Sequence, residues 1–581
     1  MNKKALAALV LSATVVAAGT ASANLMYKQT RPTISGRMVA HGGSPAVAKA
    51  GMEILLQGGT AFDAALAMAA AQSYSEVMMC HIFGGDLQLI GYDAKAKKVF
   101  SFNGTGWAPK KATIDFHMDK TNGEIPQKGI YSMHMPGEWS GWMTFLGKYG
   151  TMPLSKILAP AVDMAKNGII TDDFLANMIE KYSGPMNDEA KSVFWPNGKA
   201  LKAGDLYVNP GYADLLETMG KVADKAAEGK TVADGYKAAE DYFYRGPIAE
   251  EIVKWNNENG GDFSIEDFNE FHAEETTPIT TNYRGYDVFC TPPNSQGTVL
   301  IETLNMLENY DLKAMGLNSA KYINVITQAL QIAINHRNRF SADPRFFKFP
   351  EALLTKEFAK DMIKEIYPDK AVSEIPLGEK KYFVDYNKKG PDTTFMFVAD
   401  AEGNLVAVTH SINGFFGSSM MVHGIMMNDR RMQYTLDADL PNALVGHKRT
   451  VQTISPSIVL KDGEAIMAFG TPNADRQEQT KLQGFLNVVE FGKRPQAAVE
   501  TPRVATDAAG TTASLNKFPK QISYMVNYPT QIDKAVIDEL AALGYKMVPI
   551  TNTGSLGLGV KENGFWSVGA DPTRNAYTYA W

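Results

Sequence analysis

The sequence predicts an α/β protein built as a four-layer sandwich, with two stacked sheets and helices over both outer faces. Three observations predict it. Helical and strand patterns alternate through the first two-thirds of the chain. After Thr393 the pattern changes to pairs of short strands joined by tight turns. No Pro/Ser-rich linker and no repeat period divides the 581 residues, so helices and strands belong to one large core.

Taken in order, Ala46 to Leu56 and Phe62 to Tyr74 are apolar at helical spacing, and the second is Ala-rich enough to be buried all round. Asp86 to Tyr92 and Val99 to Asn103 alternate as strands, with a turn at Asp93-Ala94-Lys95. Ser155 to Asn167, Tyr212 to Glu228, Ile248 to Asn257 and Ala320 to Arg337 read as helices. Thr394 to Ala399 and Leu405 to Thr409 are strands around Asp400-Ala401-Glu402-Gly403-Asn404. Ser457 to Lys461 and Ala465 to Phe469 form a second pair, joined at Lys461-Asp462-Gly463, where Asp-Gly is a strong hairpin signal. A helix from Gln479 to Val489 follows.

The first residues read as a secretory signal. Lys3 and Lys4 precede an apolar run from Ala5 to Ala18, too short to span a bilayer. Ala21-Ser22-Ala23 is a small-x-small cleavage site, so residues 1–23 are a signal peptide and the mature chain begins at Asn24, exported to a periplasm or beyond. An uncleaved membrane anchor is the alternative; no later stretch is long and apolar enough to span a bilayer. The net charge of −6 and the lack of a basic block argue against nucleic acid as a partner. Cys80 and Cys290 allow one disulfide or two buried thiols. The nine histidines show no His-x-x-x-His spacing and there is no Cys-x-x-Cys, so no metal site and no cofactor are expected.

The chemistry concentrates in Gly390-Pro391-Asp392-Thr393-Thr394-Phe395. A threonine opening a strand is an ordinary residue while the chain is intact. If the bond before Thr393 is cut, its hydroxyl lies beside a free α-amine, which titrates near neutrality (pKa about 7.7–8.0) and can serve as its general base. Leu377 to Pro391 is polar, basic and rich in turn formers. It is either a surface loop or the tail released by such a cut.

This stretch resembles the gamma-glutamyltransferase family, N-terminal-nucleophile hydrolases that cut themselves before a Thr-Thr pair. The matching residues run from Thr393-Thr394 through Asp400, Gly403-Asn404, Val406 and Val408-Thr409 to Asn413, Phe416-Gly417 and Asn428, with Ser455-Pro456-Ser457-Ile458-Val459 as a second block. Gly36 to Ala40, Gly58 to Ala65, Phe83-Gly84-Gly85-Asp86, Tyr244-Arg245-Gly246, Tyr283 to Tyr286, Pro292-Pro293 and Asp343-Pro344 keep the family's order in the rest of the chain. The resemblance implies an αββα fold made of two fragments of one precursor, residues 24–392 and 393–581, held together as a heterodimer around one core.

It also implies roles. Thr393 is the nucleophile, first on the carbonyl of Asp392 and then on a substrate amide. Ser411 supplies the second hydroxyl that most members take from threonine. Asn413 binds the acyl portion, although an Asn before Gly-Phe-Phe-Gly also reads as a turn residue. The oxyanion hole falls on the backbone amides of Asn473 and Ala474, where the family has two glycines. The substrate side departs further. The family's carboxylate-binding arginine falls on Thr105, and its serine pair on Gln452-Thr453. The amine-binding segment becomes Asn428-Asp429-Arg430-Arg431-Met432-Gln433, with Arg430 and Gln433 replacing a glutamine and an acid. A glutamyl group is a zwitterion and needs a cation for its carboxylate and an anion for its amine. The substitutions therefore point to an acyl group with a carboxylate and no amine, partnered by Arg430 or Arg431. A solvated turn is the competing reading of that Arg-Arg pair. The alternatives for the whole protein are a true glutathione hydrolase or transpeptidase, and a catalytically silent binding protein of the same fold.

Overall fold

The computed structural model describes residues 30–372, 393–506, 521–526 and 531–581. The signal segment, Leu377 to Pro391 and Asp392 lie outside them. Two seven-stranded sheets dominate. The first runs, in spatial order, Tyr577–Ala580, Val39–Gly42, Thr394–Ala399, Leu405–Ser411, Asp86–Asp93, Lys98–Gly104 and Glu274–Thr276. The second runs Ile34–Gly36, Phe565–Ala570, Gly557–Glu562, Glu464–Gly470, Ser457–Lys461, Tyr286–Cys290 and Ile279–Tyr283. Each sheet draws strands from both sides of residue 393, so neither half of the chain completes a sheet alone.

The period-2 pattern after Thr393 explains the layering. Phe395, Phe397 and Ala399 point between the sheets, where they meet Ile458, Ala468, Trp566 and Val568. Met396 and Val398 point outward onto a helical layer that includes Pro45–Leu56, Ala61–Ser75 and Glu138–Tyr149. On the far side, Val459, Met467, Phe469 and Leu558 pack under Gly297–Leu307, Ala320–Phe340 and Gln477–Val489. The result is the expected αββα sandwich.

Helix Ala61–Ser75 carries the first sheet. Thr60 and Asp63 form a capping box at its start, and Ala61 to Tyr74 are all buried, as the alanine content predicts. The hairpin turn that follows Thr394–Ala399 is anchored to this helix. Asp400 accepts from Asn404 N at 2.9 Å and Asn404 Nδ2 at 2.8 Å, and its Oδ2 accepts from Ala61 N at 2.9 Å. A carboxylate is thereby placed at the positive end of the helix.

The strands and helices expected around the site all form, Thr394–Ala399 and Ser457–Lys461 with the expected ends and the others with ends shifted by at most three residues. Elements not anticipated include Val39–Gly42, the pair Ile279–Tyr283 and Tyr286–Cys290, the pair Gly557–Glu562 and Phe565–Ala570, and helices Glu138–Tyr149 and Gly297–Leu307. Gly297–Leu307 is buried at every position, its polar residues Thr298, Glu302, Thr303 and Asn305 included. Cys80 and Cys290 are two buried free thiols.

Candidate active site

Thr393 immediately precedes strand Thr394–Ala399 and is fully buried. Register decides what lies beside it. Thr394 pairs with His410, which sets Thr393 opposite Ser411. Ser411 in turn pairs with Asp86 on the next strand, and Leu87 pairs with Gly104, so Asp86 sits beside Thr105. Thr393, Ser411, Asp86 and Thr105 therefore form one row across the end of the sheet. The Thr393 hydroxyl donates to Ser411 Oγ at 3.3 Å, and Ser411 Oγ accepts from Asn413 N at 2.8 Å.

Asn413 has a left-handed backbone, φ 75°, which turns its side chain back along the strand end. Its Nδ2 donates to Asp429 Oδ1 at 2.7 Å, and its Oδ1 accepts from Gln433 Nε2 at 2.9 Å and Arg430 Nη1 at 3.3 Å. The expected residues Ser411, Asn413, Arg430 and Gln433 thus converge.

Arg430 and Arg431 do not form a solvated turn. Both are fully buried in the turn Arg430–Gln433. Arg431 is consumed structurally, gripping Asp262 with two hydrogen bonds of 2.7 and 2.8 Å and donating to Met133 O at 2.9 Å. Arg430 is less committed. Its Nε lies 3.4 Å from Asp86 Oδ2, and neither Nε nor Nη2 has a hydrogen-bond partner among the described residues. Burial pulls its guanidinium below the ordinary arginine range, against the pull of Asp86 and Asp429.

Two site residues escaped the sequence reading. Asp86 accepts from Gly106 N and Gln452 Nε2, each at 2.8 Å, and burial pushes its carboxyl up to about 6 despite Arg430. Asp429 accepts from Asn413 Nδ2 and Gly414 N and lies 3.5 Å from Lys128. Replacement of the family's amine-binding acid by Gln433 therefore does not leave the acyl site without buried anions: two carboxylates flank Arg430. Both stand in quoted motifs, Asp86 after the glycine pair and Asp429 after Asn428. An acid directly after Gly84-Gly85 is the signal that could have found Asp86; Asp429 carries no such local mark.

Asn473, Ala474 and Thr453 lie on segments that flank second-sheet strands Glu464–Gly470 and Ser457–Lys461. Gly470 ends a strand against Phe395; a Cβ there would sit 2.2 Å from that ring. The chain then turns through Asn473 and Ala474 at φ 90° and 46°. These are conformations glycine adopts freely, so the backbone keeps the shape that two glycines would give, at a strain cost borne by Ala474 above all. Successive turns of this kind gather backbone amides into an anion-binding concavity. Gln296 Nε2 bridges the carbonyls of Thr453 and Ala474, and Arg337 holds Gln296 Oε1 at 2.6 Å. Thr453 is buried, with its hydroxyl unpartnered among the described residues. Thr105 is buried too, its hydroxyl accepting from Gln88 Nε2 at 3.1 Å.

A hydroxyl at the opening of a central hairpin, inside an αββα sandwich, defines the class of N-terminal-nucleophile hydrolases. Comparison with known proteins narrows the class. The gamma-glutamyltranspeptidase family model matches residues 47–581, and the chain belongs to that family. The glutathione hydrolase proenzyme of Escherichia coli is 33% identical over 476 residues, covering 78% of each chain. The acylase ACY 1 proenzyme of Pseudomonas sp. strain SE83 is 30% identical over 537 residues, covering 90% of this chain and 89% of the acylase. Among solved structures, cephalosporin acylase from Bacillus halodurans superposes with a TM-score of 0.83 at 26% identity, over 96% of this chain and 98% of its own. Gamma-glutamyltranspeptidase from Helicobacter pylori gives 0.51 at 28% identity, over 56% of this chain and 91% of its own.

Proposed function

We propose that the protein is an exported, self-processing threonine amidohydrolase or acyltransferase of this family, specific for an acyl group bearing a carboxylate and no amine. The observation that carries the reading is the Thr393–Ser411 hydrogen bond at the end of a row that also holds Asp86, with Arg430 behind it.

In the first reaction Thr393 Oγ1 attacks the Asp392 carbonyl. The peptide C–N bond breaks as the C–O bond forms, the hydroxyl proton passes to the departing nitrogen, and water hydrolyses the ester. The products are residues 24–392 and 393–581 with a free amine on Thr393. In the second, that amine takes the hydroxyl proton as Thr393 attacks a substrate amide. The backbone amides of Asn473 and Ala474 receive the developing oxyanion, a contribution of a few kcal/mol. The amine proton passes to the leaving nitrogen, and water or an acceptor amine then resolves the acyl-enzyme. Ser411 supports the nucleophile, Asn413 and Thr453 bind the acyl group, and Arg430 receives its carboxylate. No metal or cofactor takes part, and no partner beyond the small-molecule amide and the protein's own second fragment is invoked. Among the described residues no helix is long and apolar enough to cross a membrane. Together with the signal segment this fits a periplasmic or secreted enzyme.

A second reading, a glutathione hydrolase that binds a γ-glutamyl group, is favoured by one specific observation. Asp86 and Asp429 are buried beside Arg430 and are anions of the kind an α-amine requires. The basic test compares wild type with Thr393→Ala by intact mass and activity. Wild type should be two chains and active; the variant should be one chain and inactive. Cleavage of the variant at the same bond would remove Thr393 from self-processing, retained activity would remove it from substrate turnover, and an uncleaved, inactive wild type would favour the silent-protein alternative.

A further inference from the structure

Behind the Thr393–Ser411 pair lies a second row that the reaction above does not use. Thr394 and His410 are directly opposite each other, one residue inward from Thr393 and Ser411. By the pleat their side chains point to the opposite face of the sheet, into the helical layer. There a single residue of helix Ala61–Ser75 joins them. Gln72 Nε2 donates to Thr394 Oγ1 and, at 3.1 Å, to Glu76 Oε2, while Gln72 Oε1 faces His410 Nε2 at 2.9 Å. Both ends of the chain are anchored by carboxylates. Thr394 Oγ1 donates to Glu76 Oε2 at 2.6 Å, and His410 Nδ1 lies 2.7 Å from Glu138 Oε1, which also accepts from Trp142 Nε1 at 3.0 Å.

The polarity of the chain follows from its ends. Glu76 accepts, so the Gln72 amide turns its nitrogen that way and its oxygen toward His410. His410 Nε2 is then the donor to Gln72 Oε1, with Nδ1 turned to Glu138. Every member is buried, and Glu76 Oε1 and Glu138 Oε2 have no hydrogen-bond partner among the described residues. Burial pushes the Glu76 carboxyl above its ordinary range, with Thr394 and Gln72 pulling it back. Apolar side chains would fill this layer at lower desolvation cost. The network stands directly behind the strand ends that hold the Thr393 and Ser411 hydroxyls in contact.

We propose that Gln72, with Thr394 and His410, is a positioning clamp: it ties the neighbour of Thr393 to the neighbour of Ser411 and so sets the approach of the two hydroxyls. This rests on the reading of Thr393 as nucleophile and Ser411 as its support. The clamp never touches substrate. Its loss should leave acyl binding intact and displace the reacting groups, and a displacement of about 1 Å can cost around 100-fold in rate.

The test uses Thr394→Val, Thr394→Ser and Gln72→Glu in the full-length protein. Self-cleavage is followed on denaturing gels, kcat and KM with a glutaryl anilide, and folding by thermal melting. Thr394→Val should lower kcat 10- to 100-fold and slow self-cleavage, with KM within about twofold and melting within a few degrees. Thr394→Ser, which keeps the hydroxyl, should restore most of kcat. Gln72→Glu sets a carboxylate against Glu76 and should shift the pH profile of kcat toward acid, where one of the two acids is protonated. Unchanged kcat in Thr394→Val overturns the clamp, as does lowered melting with unchanged kcat per folded molecule. If Thr394→Val does not accumulate as folded protein, Gln72→Glu decides: a pH profile identical to wild type overturns the proposal. Thr393→Ala is the control that separates the two levels. If it is inactive while Thr394→Val and Gln72→Glu behave as wild type, only the clamp fails; if it is active and still cleaved, the nucleophile assignment fails.

Discussion

Matched glutaryl and γ-glutamyl anilides distinguish the two substrate readings, because they share a carboxylate and differ by one amine. Arg430 is fully buried, and its Nε and Nη2 lack hydrogen-bond partners among the described residues. A charge-assisted hydrogen bond from such a group to a substrate carboxylate contributes about 1.5–3 kcal/mol, which both compounds can collect. Only the γ-glutamyl compound brings an ammonium. At about 6 Å from Arg430 and an effective dielectric near 20, like-charge repulsion is roughly 3 kcal/mol. Asp86 and Asp429 pull the other way, yet each already accepts two hydrogen bonds and faces a cation. If they offset about half of the repulsion, roughly 1.4 kcal/mol remains, a tenfold preference for the glutaryl compound. The assay is the ratio of kcat/KM for the two anilides in wild type and Arg430→Met. Wild type should favour glutaryl by at least about tenfold, and Arg430→Met should lose glutaryl activity by a similar factor and narrow the ratio. A wild-type ratio favouring γ-glutamyl refutes the reasoning. It would mean that Asp86 or Asp429 receives the amine, and the glutathione-hydrolase reading would then come first.

Three further outcomes are expected. Ser411→Ala should lower turnover roughly 10- to 1,000-fold and slow self-cleavage, as loss of a positioned hydrogen-bonding group does; full activity in a turnover assay would remove Ser411 from the site. Arg431→Leu leaves Asp262 buried without its cation and should cost about 3–5 kcal/mol in urea unfolding, with kcat per folded molecule little changed; an unaltered midpoint would show the pair to be dispensable. Asp86 has a carboxyl raised from 3.8 to about 6, so its contribution to stability is fully present below about 3.8 and is lost as pH rises through 6. Asp86→Asn should therefore gain on wild type by up to roughly 3 kcal/mol between pH 4 and 7, and a pH-independent difference in melting would contradict this.

How much of this was legible depended on how local each signal was. The hairpin Thr394–Ala399 and Leu405–Ser411 was readable because alternation and an Asp-x-x-Gly-Asn turn lie within twenty residues of each other. The backbone shape at Asn473 and Ala474 was the less readable for having lost its glycines. Asn473 is among the residues that tolerate a left-handed backbone, but Ala474 is not, and its carbonyl is held by Gln296, a residue far away in sequence. The burial of Arg430 and Arg431 was hidden for a related reason. A charged pair in a polar segment reads as solvated unless its partners are known, and Asp86 and Asp262 lie more than 160 residues away.

One geometric rule joins the readable and the unreadable parts. In a sheet, residues paired across neighbouring strands share a face, so a row fixes chemistry that no single segment contains. The Thr393–Ser411 contact belongs to a hairpin and follows from its turn length. The next member, Asp86, enters only because strand Asp86–Asp93 was chosen as the neighbour of Leu405–Ser411, a long-range pairing with no local mark. Moving that strand by one residue would exchange Asp86 for Leu87 and put an aliphatic side chain beside Ser411. Gln452 and Gly106 hold Asp86 by both oxygens, and Gly85 closes on Glu138, so the register is pinned at the end where the chemistry lies. The pairing within the hairpin sends Thr394 and His410 to the other face. The site therefore depends on two strand pairings and the clamp proposed behind it on one: a one-residue slip of Asp86–Asp93 would take Asp86 out of the row, whereas a slip within the hairpin would dismantle site and clamp together.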